Sequence, residues 1–405
     1  MTRNLQISLF AGMLAAAGLP LYIHLPRYAA TELGLSLQAV GALLIAIRVL
    51  DFAQDPLLGR MIDRLPAARG TFAAAAALGM GAGFALLFSL RPGAGVLLWL
   101  GAAVVLVFTA YSLGSILFYG QSTAFAAAGD DLIRMAGFRE AGALAGVILA
   151  AVAPSLLVAL GAPGYSLFGL LMTAVCIAVW AATRGLWRLP AVSGGSLSLP
   201  ALRDAGAARL LLLALVNSLP VAITSTLFLF FVSDYLQLPA MAGPFLILFF
   251  LAAGLSVPLW TRACTIFGPR QVLVPAMTLA ILSFLGAALL EPGAGAAFAA
   301  ICLCSGAALG ADMVILPVLF SSALARAGLQ AGTAFGLWSF AGKLSLACAA
   351  AALLPLLELS GFRPGEANSA TALTTLILAY AVLPCLIKLA AISLVFRLPQ
   401  EVPQS

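Results

Sequence analysis

The sequence predicts an all-α polytopic membrane protein of twelve transmembrane helices in two halves of six, and three observations predict it. Of its 405 residues 63% are hydrophobic and only 8% charged, with a mean hydropathy of +1.13, far outside the range of an ordinary soluble domain. A bilayer-spanning helix needs about twenty predominantly apolar residues, and Gly, Pro and charged residues cut the chain into twelve stretches of about that length. Basic residues gather in alternate connections, as cytoplasmic loops require.

Helix one is read at 6–27, following the short start Met1-Thr2-Arg3-Asn4 with no small-residue cleavage site, and so as a retained span rather than a signal peptide. Helix two, 37–60, is apolar except for Arg48, Asp51 and Asp55. Helices three and four follow at 71–90 and 94–123, helix five at 134–160 with Arg139 and Glu140, and helix six at 164–185. The longest polar connection, with Gly194, Gly195, Ser196 and Ser198, separates an N-terminal half, 1–186, from a C-terminal half, 207–405, through a cytoplasmic linker at 187–206. The second six helices are read at 207–233, 240–262, 270–290, 293–323, 329–357 and 370–397, with Asp312 in the tenth, Lys343 in the eleventh and Lys388 in the twelfth.

If both termini are cytoplasmic, Arg3, Arg60, Arg64, Arg69, Arg134, Arg184, Arg188, Arg203, Arg209, Arg262, Arg270, Arg326 and Arg397 fall inside and only Arg27, Arg91 and Arg363 outside. That asymmetry supports an even number of spans with both termini inside; the expected location is a bacterial inner (plasma) membrane. Pro56-Leu57-Leu58-Gly59-Arg60 recurs 202 residues on as Pro258-Leu259-Trp260-Thr261-Arg262. Two related six-helix halves are the signature of the major facilitator fold. The same displacement carries Arg48, Asp51 and Asp55 onto Phe250, Ala253 and Val257, so the charges are an addition to one half rather than a requirement of the fold.

Composition also excludes functions. With no long polar stretch there is no room for a soluble catalytic or nucleic-acid-binding domain, and the pI near 9.2 reflects topology. No zinc spacing, phosphate loop, nucleophile elbow or catalytic triad is present, so neither an enzyme nor a bound cofactor is expected. The six cysteines lie in or beside apolar segments and read as small buried hydrophobes. His24, the only histidine, reads as structural or interfacial.

Chemistry is expected where charge interrupts the spans. An ionised side chain at the bilayer centre costs about 2.5 to 3.5 kcal/mol on the insertion scale. Arg48, Asp51 and Asp55 are spaced i,i+3 and i,i+4, which puts them on one helix face. Two carboxylates one turn apart repel unless a cation or proton lies between them, which is the basis of a coupling-ion site for Na⁺ or H⁺. The alternative is an internal salt bridge of Arg48 with one aspartate. Arg139 and Lys343, 204 residues apart, occupy nearly corresponding points of the two halves. They are expected to face a central cavity, binding an anionic or hydroxyl-rich solute or pairing with the acids of helix two, unless Glu140 simply neutralises Arg139. Lys388 is read as snorkelling to the inner interface, and Asp312 has no assigned partner.

Gly59, Asp63 and Arg64 resemble the loop between helices two and three common to major facilitator transporters, where charge pairs hold the cytoplasmic gate. More closely, Arg48-x-x-Asp51-x-x-x-Asp55-Pro56-x-x-Gly59 resembles the glycoside-pentoside-hexuronide:cation symporters, the melibiose permease-like family, and the likeness covers most of the chain. It implies cation coupling at Asp51, Asp55, the amide position Gln54 and the hydroxyl of Ser112 after Tyr111. Gly342-Lys343 matches the family's helix-eleven lysine, and Gly361-Phe362-Arg363-Pro364 its approach to helix twelve. The acids that hold sugar hydroxyls are missing: Ala15 or Ala16 and Ser115 stand in their places.

The expectation is a Na⁺- or H⁺-coupled symporter of a sugar-like or anionic solute, working as a monomer by alternating access. Its cavity would be lined by Arg48, Tyr111, Ser115, Tyr119, Arg139, Trp338 and Lys343. The alternatives are a proton-coupled exporter of amphipathic compounds, with the phenylalanines at 228–231 lining its cavity, and a non-transporting receptor or assembly factor.

Overall fold

A computed structural model describes residues 2–18, 25, 28–29, 32–126, 129–161, 164–189, 194–195 and 197–398. The described chain is helical almost throughout, with one isolated bridge between Gly195 and Leu329. Twelve long elements are labelled here: α1 Arg3–Ala17, α2 Leu37–Arg64, α3 Arg69–Ser89, α4 Val96–Gly120, α5 Gly129–Ala159, α6 Gly164–Thr183, α7 Ala207–Tyr235, α8 Ala242–Phe267, α9 Pro269–Ala287, α10 Gly295–Arg326, α11 Ala331–Leu359 and α12 Ala370–Phe396. Ten helices among the described residues, α3 to α12, are long and apolar enough to cross a membrane. Of the other two, α1 has 15 described residues, and the expected remainder of helix one, His24 included, lies outside the described residues. Helix α2 is long enough at 28 residues but carries Arg48, Asp51, Asp55, Arg60, Asp63 and Arg64. Exposed leucines on the helices, such as Leu149, Leu255 and Leu282, provide an apolar exterior suited to hydrocarbon.

Local chemistry sets the helix ends. Ser36, Ser198 and Ser369 cap helix N-termini by accepting from the backbone N–H three residues on. Gly268, at φ 86°, ends α8 and turns directly into Pro269 at the start of α9. Prolines lie inside α2, α5, α7, α8, α9, α10 and α11, as membrane helices tolerate more readily than soluble ones.

The chain forms two compact units, Met1–Leu197 with Gly328–Phe340, and Ser198–Ala327 with Ala341–Ser405. The sequence reading puts 328–340 wholly in the second half; in the structure this segment, which includes the first turns of α11, packs with the first. In unit 1, α1 and α5 meet through small residues, Gly12 against Gly142 and Gly146. In unit 2, Gly306 and Gly310 of α10 lie against the backbone of α8. Such surfaces let helices approach closely where van der Waals packing drives association. Each unit also ties its third helix to the end of its sixth. Arg69 donates to Leu189 O (2.7 Å) and to Gln121 Oε1 (3.1 Å), and Arg270 donates to Phe396 O (2.6 Å) and Leu398 O (2.9 Å).

Candidate functional site

Asp51 and Asp55 are both fully buried, while Val49, Ala53 and Leu57 on the same helix are exposed. Helix α2 therefore turns its acids into unit 1 and its aliphatic side chains outward, the only arrangement that spares the carboxylates contact with lipid. Gln54 donates from Nε2 to Asp51 Oδ1 (2.7 Å) and accepts at Oε1 from the Thr109 hydroxyl of α4 (2.9 Å). The Ser339 hydroxyl of α11 donates to Asp55 Oδ2 (2.6 Å). Both carboxylates make further contacts as well. Gln54 thus faces Asp51 with its amide nitrogen, whereas the family resemblance implies an oxygen ligand there.

The approach of α2 to α11 is set by glycine. A Cβ on Gly59 would stand 2.5 Å from Gly332 O and 2.8 Å from Thr333 Cα, and one on Gly336 2.6 Å from Asp55 O. Neither position accommodates a side chain. At the C-terminal end of α2 along this seam Asp63 accepts from the backbone N–H of Gly332 (2.8 Å) and Thr333 (2.6 Å) and from Thr333 Oγ1 (2.6 Å). These are free N–H groups of the first turn of α11, where helix geometry favours an anion. Where the resemblance implies charge pairs at Gly59, Asp63 and Arg64, Asp63 acts as a cap from another helix, and Arg64 is exposed.

A second buried group lies on α5. Arg139 Nε donates to Glu140 Oε1 (2.8 Å), and its guanidinium sits 4.2 Å from the Tyr119 ring centre. Tyr119 Oη donates weakly to the same Glu140 oxygen at 3.4 Å. Tyr119 contacts Phe335 (5.7 Å between rings), which contacts Trp338 (6.1 Å). Ser112 is buried on α4, one turn from Thr109, with Tyr111 and Ser115 half-buried beside it. Lys343 is half-buried on the part of α11 that belongs to unit 2. Arg48 belongs to α2, but its side chain lies outside the described residues.

Unit 2 corrects one reading outright. Lys388 does not snorkel: it is only 5% exposed and donates to Asp312 Oδ2 (2.5 Å) and Asn217 Oδ1 (2.7 Å), while Asn217 Nδ2 donates to the same Asp312 oxygen (3.0 Å). The ammonium is held within the unit because an anion meets it there, removing the incentive to reach water. The phenylalanines also differ from the exporter reading. Phe231 stacks on Tyr380 at 4.1 Å, Phe228 packs on Phe298, and Phe230 meets Phe362, so these rings fill the interior of unit 2. Of the six cysteines, all free, Cys304 and Cys348 are exposed rather than buried.

Three polar residues of these sites escaped the sequence reading: Thr109, Ser339 and Asn217. Thr109 is three residues before Ser112 and Ser339 four before Lys343, so helical spacing from residues already singled out was the available signal. Asn217 had none. Around Asp51 and Asp55 the donors are oxygen-rich, with two carboxylates, a serine and a threonine hydroxyl and an amide, a set suited to a hard cation or a proton rather than a soft metal.

A family model described as MFS/sugar transport protein matches residues 7–401. None of the curated proteins matches. Among solved structures, a bacterial homologue of the iron transporter ferroportin in the outward-facing state superposes with a TM-score of 0.73 at 16% identity, covering 97% of this chain and all of that one. The Escherichia coli fucose:proton symporter superposes with a TM-score of 0.65 at 16% identity over 96% of this chain and 98% of that one. The human organic anion transporter MFSD10 gives 0.66 at 17% identity over 95% and 98%. At these identities the likeness establishes the fold.

Proposed function

Starting from the fact that this chain belongs to the MFS/sugar transport protein family, and so is an integral-membrane transporter of the major facilitator fold, we propose that it is a cation-coupled symporter of a small solute. One observation carries the reading: two fully buried carboxylates, Asp51 and Asp55, one helical turn apart and held by Gln54 and Ser339. Like charges at that spacing are relieved when a proton or Na⁺ binds between them. Filling the site removes a charge penalty from α2 and from the first turns of α11, so cation occupancy biases the conformations that alternating access requires.

The solute follows less directly. Positions 15, 16 and 115 hold Ala, Ala and Ser, which offer few acceptors for sugar hydroxyls, while Tyr119 and Trp338 supply aromatic faces and the charge of buried Arg139 is balanced by Glu140. A site without hydrogen-bond acceptors discriminates poorly among polyols. We therefore assign it an acidic or partly apolar solute rather than a neutral galactoside.

The test is solute uptake by proteoliposomes under an imposed Na⁺ or H⁺ gradient. Accumulation that needs one gradient and disappears in Asp55→Asn supports the reading. Accumulation by the Asp51→Asn/Asp55→Asn protein equal to wild type moves coupling elsewhere, and tight, Na⁺-enhanced binding of a neutral disaccharide overturns the solute class.

A further inference from the structure

Unit 2 contains an apolar cavity walled by Pro220 and Val221 of α7, Phe249 of α8, Phe284 of α9 and Leu309 of α10, with Asp312 and Lys388 at its polar end. It leaves about 30 Å³ for the centres of water-sized spheres. One water needs about 10 to 15 Å³ by that measure, so two fit. Asp312 is 6% exposed and uses its two oxygens unequally. Oδ2 accepts from both Lys388 and Asn217, whereas Oδ1 has no hydrogen-bond partner among the described residues. A buried carboxylate oxygen beside a cavity of this size is a place where water bonds, because leaving it bare costs the full desolvation of a charged acceptor. Lys388 contributes the other half: two of its three N–H groups are engaged by Asn217 and Asp312, which leaves a third donor in hand.

Stability alone does not account for this triad. Well-packed apolar residues usually serve a fold as well as a buried ion pair does, or better, and ionisable groups inside membrane helices mark ion or proton pathways. We propose that the cavity is a hydrated proton-acceptor site and that Asp312 Oδ1 is the atom protonated. In the step, a hydronium ion in the cavity gives its proton to Oδ1 and remains as water. Asp312 becomes the neutral acid, the attraction across the Asp312–Lys388 contact is lost, and the ammonium is retained by Asn217 Oδ1. The triad passes from no net charge to one positive charge. Among the cavity-lining residues the only other titratable group is Cys385, whose thiol donates to Ala381 O and Ile281 O; α7, α8 and α9 present no charged side chain to the cavity. The site thus joins α7, α10 and α12 through one proton-dependent contact, independently of the α2 acids.

The experiment is infrared spectroscopy of the purified full-length protein in lipid nanodiscs as the pH is lowered. The expected result is a protonated-carboxyl C=O band that shifts in D₂O, that Asp51→Asn/Asp55→Asn retains, and that Asp312→Asn loses. A band pattern identical in wild type and Asp312→Asn overturns the proposal. Should Asp312→Asn not fold, Lys388→Met in an otherwise native protein decides: with the cation gone the pH dependence of the band must change, and an unchanged one overturns the proposal equally. Because the α2 acids are scored in the same spectra, failure here is distinguishable from failure of the coupling site in unit 1.

Discussion

The acids of α2 and the acid of α10 are all buried, but unit 1 places two of them one turn apart and unit 2 places one beside a lysine. In unit 2 a single carboxylate meets a lysine and a bridging asparagine, so the triad carries no net charge. In unit 1 two like charges share one helix face and receive hydrogen bonds from an amide and a hydroxyl. The first arrangement balances its charge with its own residues, though Asp312 Oδ1 has no hydrogen-bond partner among the described residues. The second places two carboxylates within one turn of each other, where they repel unless a cation or proton lies between them. A buried acid in a membrane helix is therefore not by itself the mark of a coupling site; two acids one turn apart in unit 1, against one acid beside a lysine in unit 2, is what distinguishes the two.

The largest effect expected from this contrast is in transport. Asp55→Asn should reduce gradient-driven accumulation to background while the protein inserts and folds, as judged by gel filtration. A comparable loss in Lys388→Met would erase the distinction in transport between the two regions.

In stability the order reverses. Lys388→Ala leaves Asp312 buried beside an unbalanced site and should cost about 3 to 5 kcal/mol, read as a lowered thermal midpoint. Lys388→Met combined with Asp312→Asn should recover most of it, and additive losses in that cycle would show that the contact carries no coupling. Asp51→Asn and Asp55→Asn should leave the thermal midpoint unchanged or raised, since each removes part of a like-charge repulsion.

Asp63→Ala should be intermediate, about 1 to 2 kcal/mol for the lost cap of α11. Asp63→Asn should retain part of that stability through its side-chain oxygen. Gly332→Leu should be the more damaging change at this seam, because its Cβ would meet Asp63 Oδ1 at 2.5 Å and Gly59 O at 2.8 Å. The smallest effect is expected at Ser339→Ala and Thr109→Val, each losing one hydrogen bond of about 1 kcal/mol, visible as a several-fold shift in the cation concentration that half-activates uptake.

Much of the architecture was legible in the residues. The read limits for helices six, eleven and twelve, 164–185, 329–357 and 370–397, lie within two residues of Gly164–Thr183, Ala331–Leu359 and Ala370–Phe396. Membrane insertion sums apolarity over contiguous residues, so a span is written where it occurs. The burial of Asp51 and Asp55 on one face of α2 was likewise legible, because i,i+4 spacing is local. Gln54 beside them was named as well, but Ser339 and Thr109 were not. Ser339 lies 284 residues from Asp55, Asp312 76 from Lys388, and Thr333 270 from Asp63. A soluble amphipathic helix announces which face is buried; helices apolar on all sides, as here, leave the rotation about their axes unmarked. That rotation decides which buried polar groups meet. The sequence by itself determined the helical membrane class, the ten apolar helices α3 to α12 and the charged positions, while only tertiary packing decided that Lys388 turns inward to Asp312 and that Asp63 closes the end of α11. Pairing of buried charges is a property of neighbours in space, and their hydrogen-bond geometry is set by how closely the glycine-bearing helices approach.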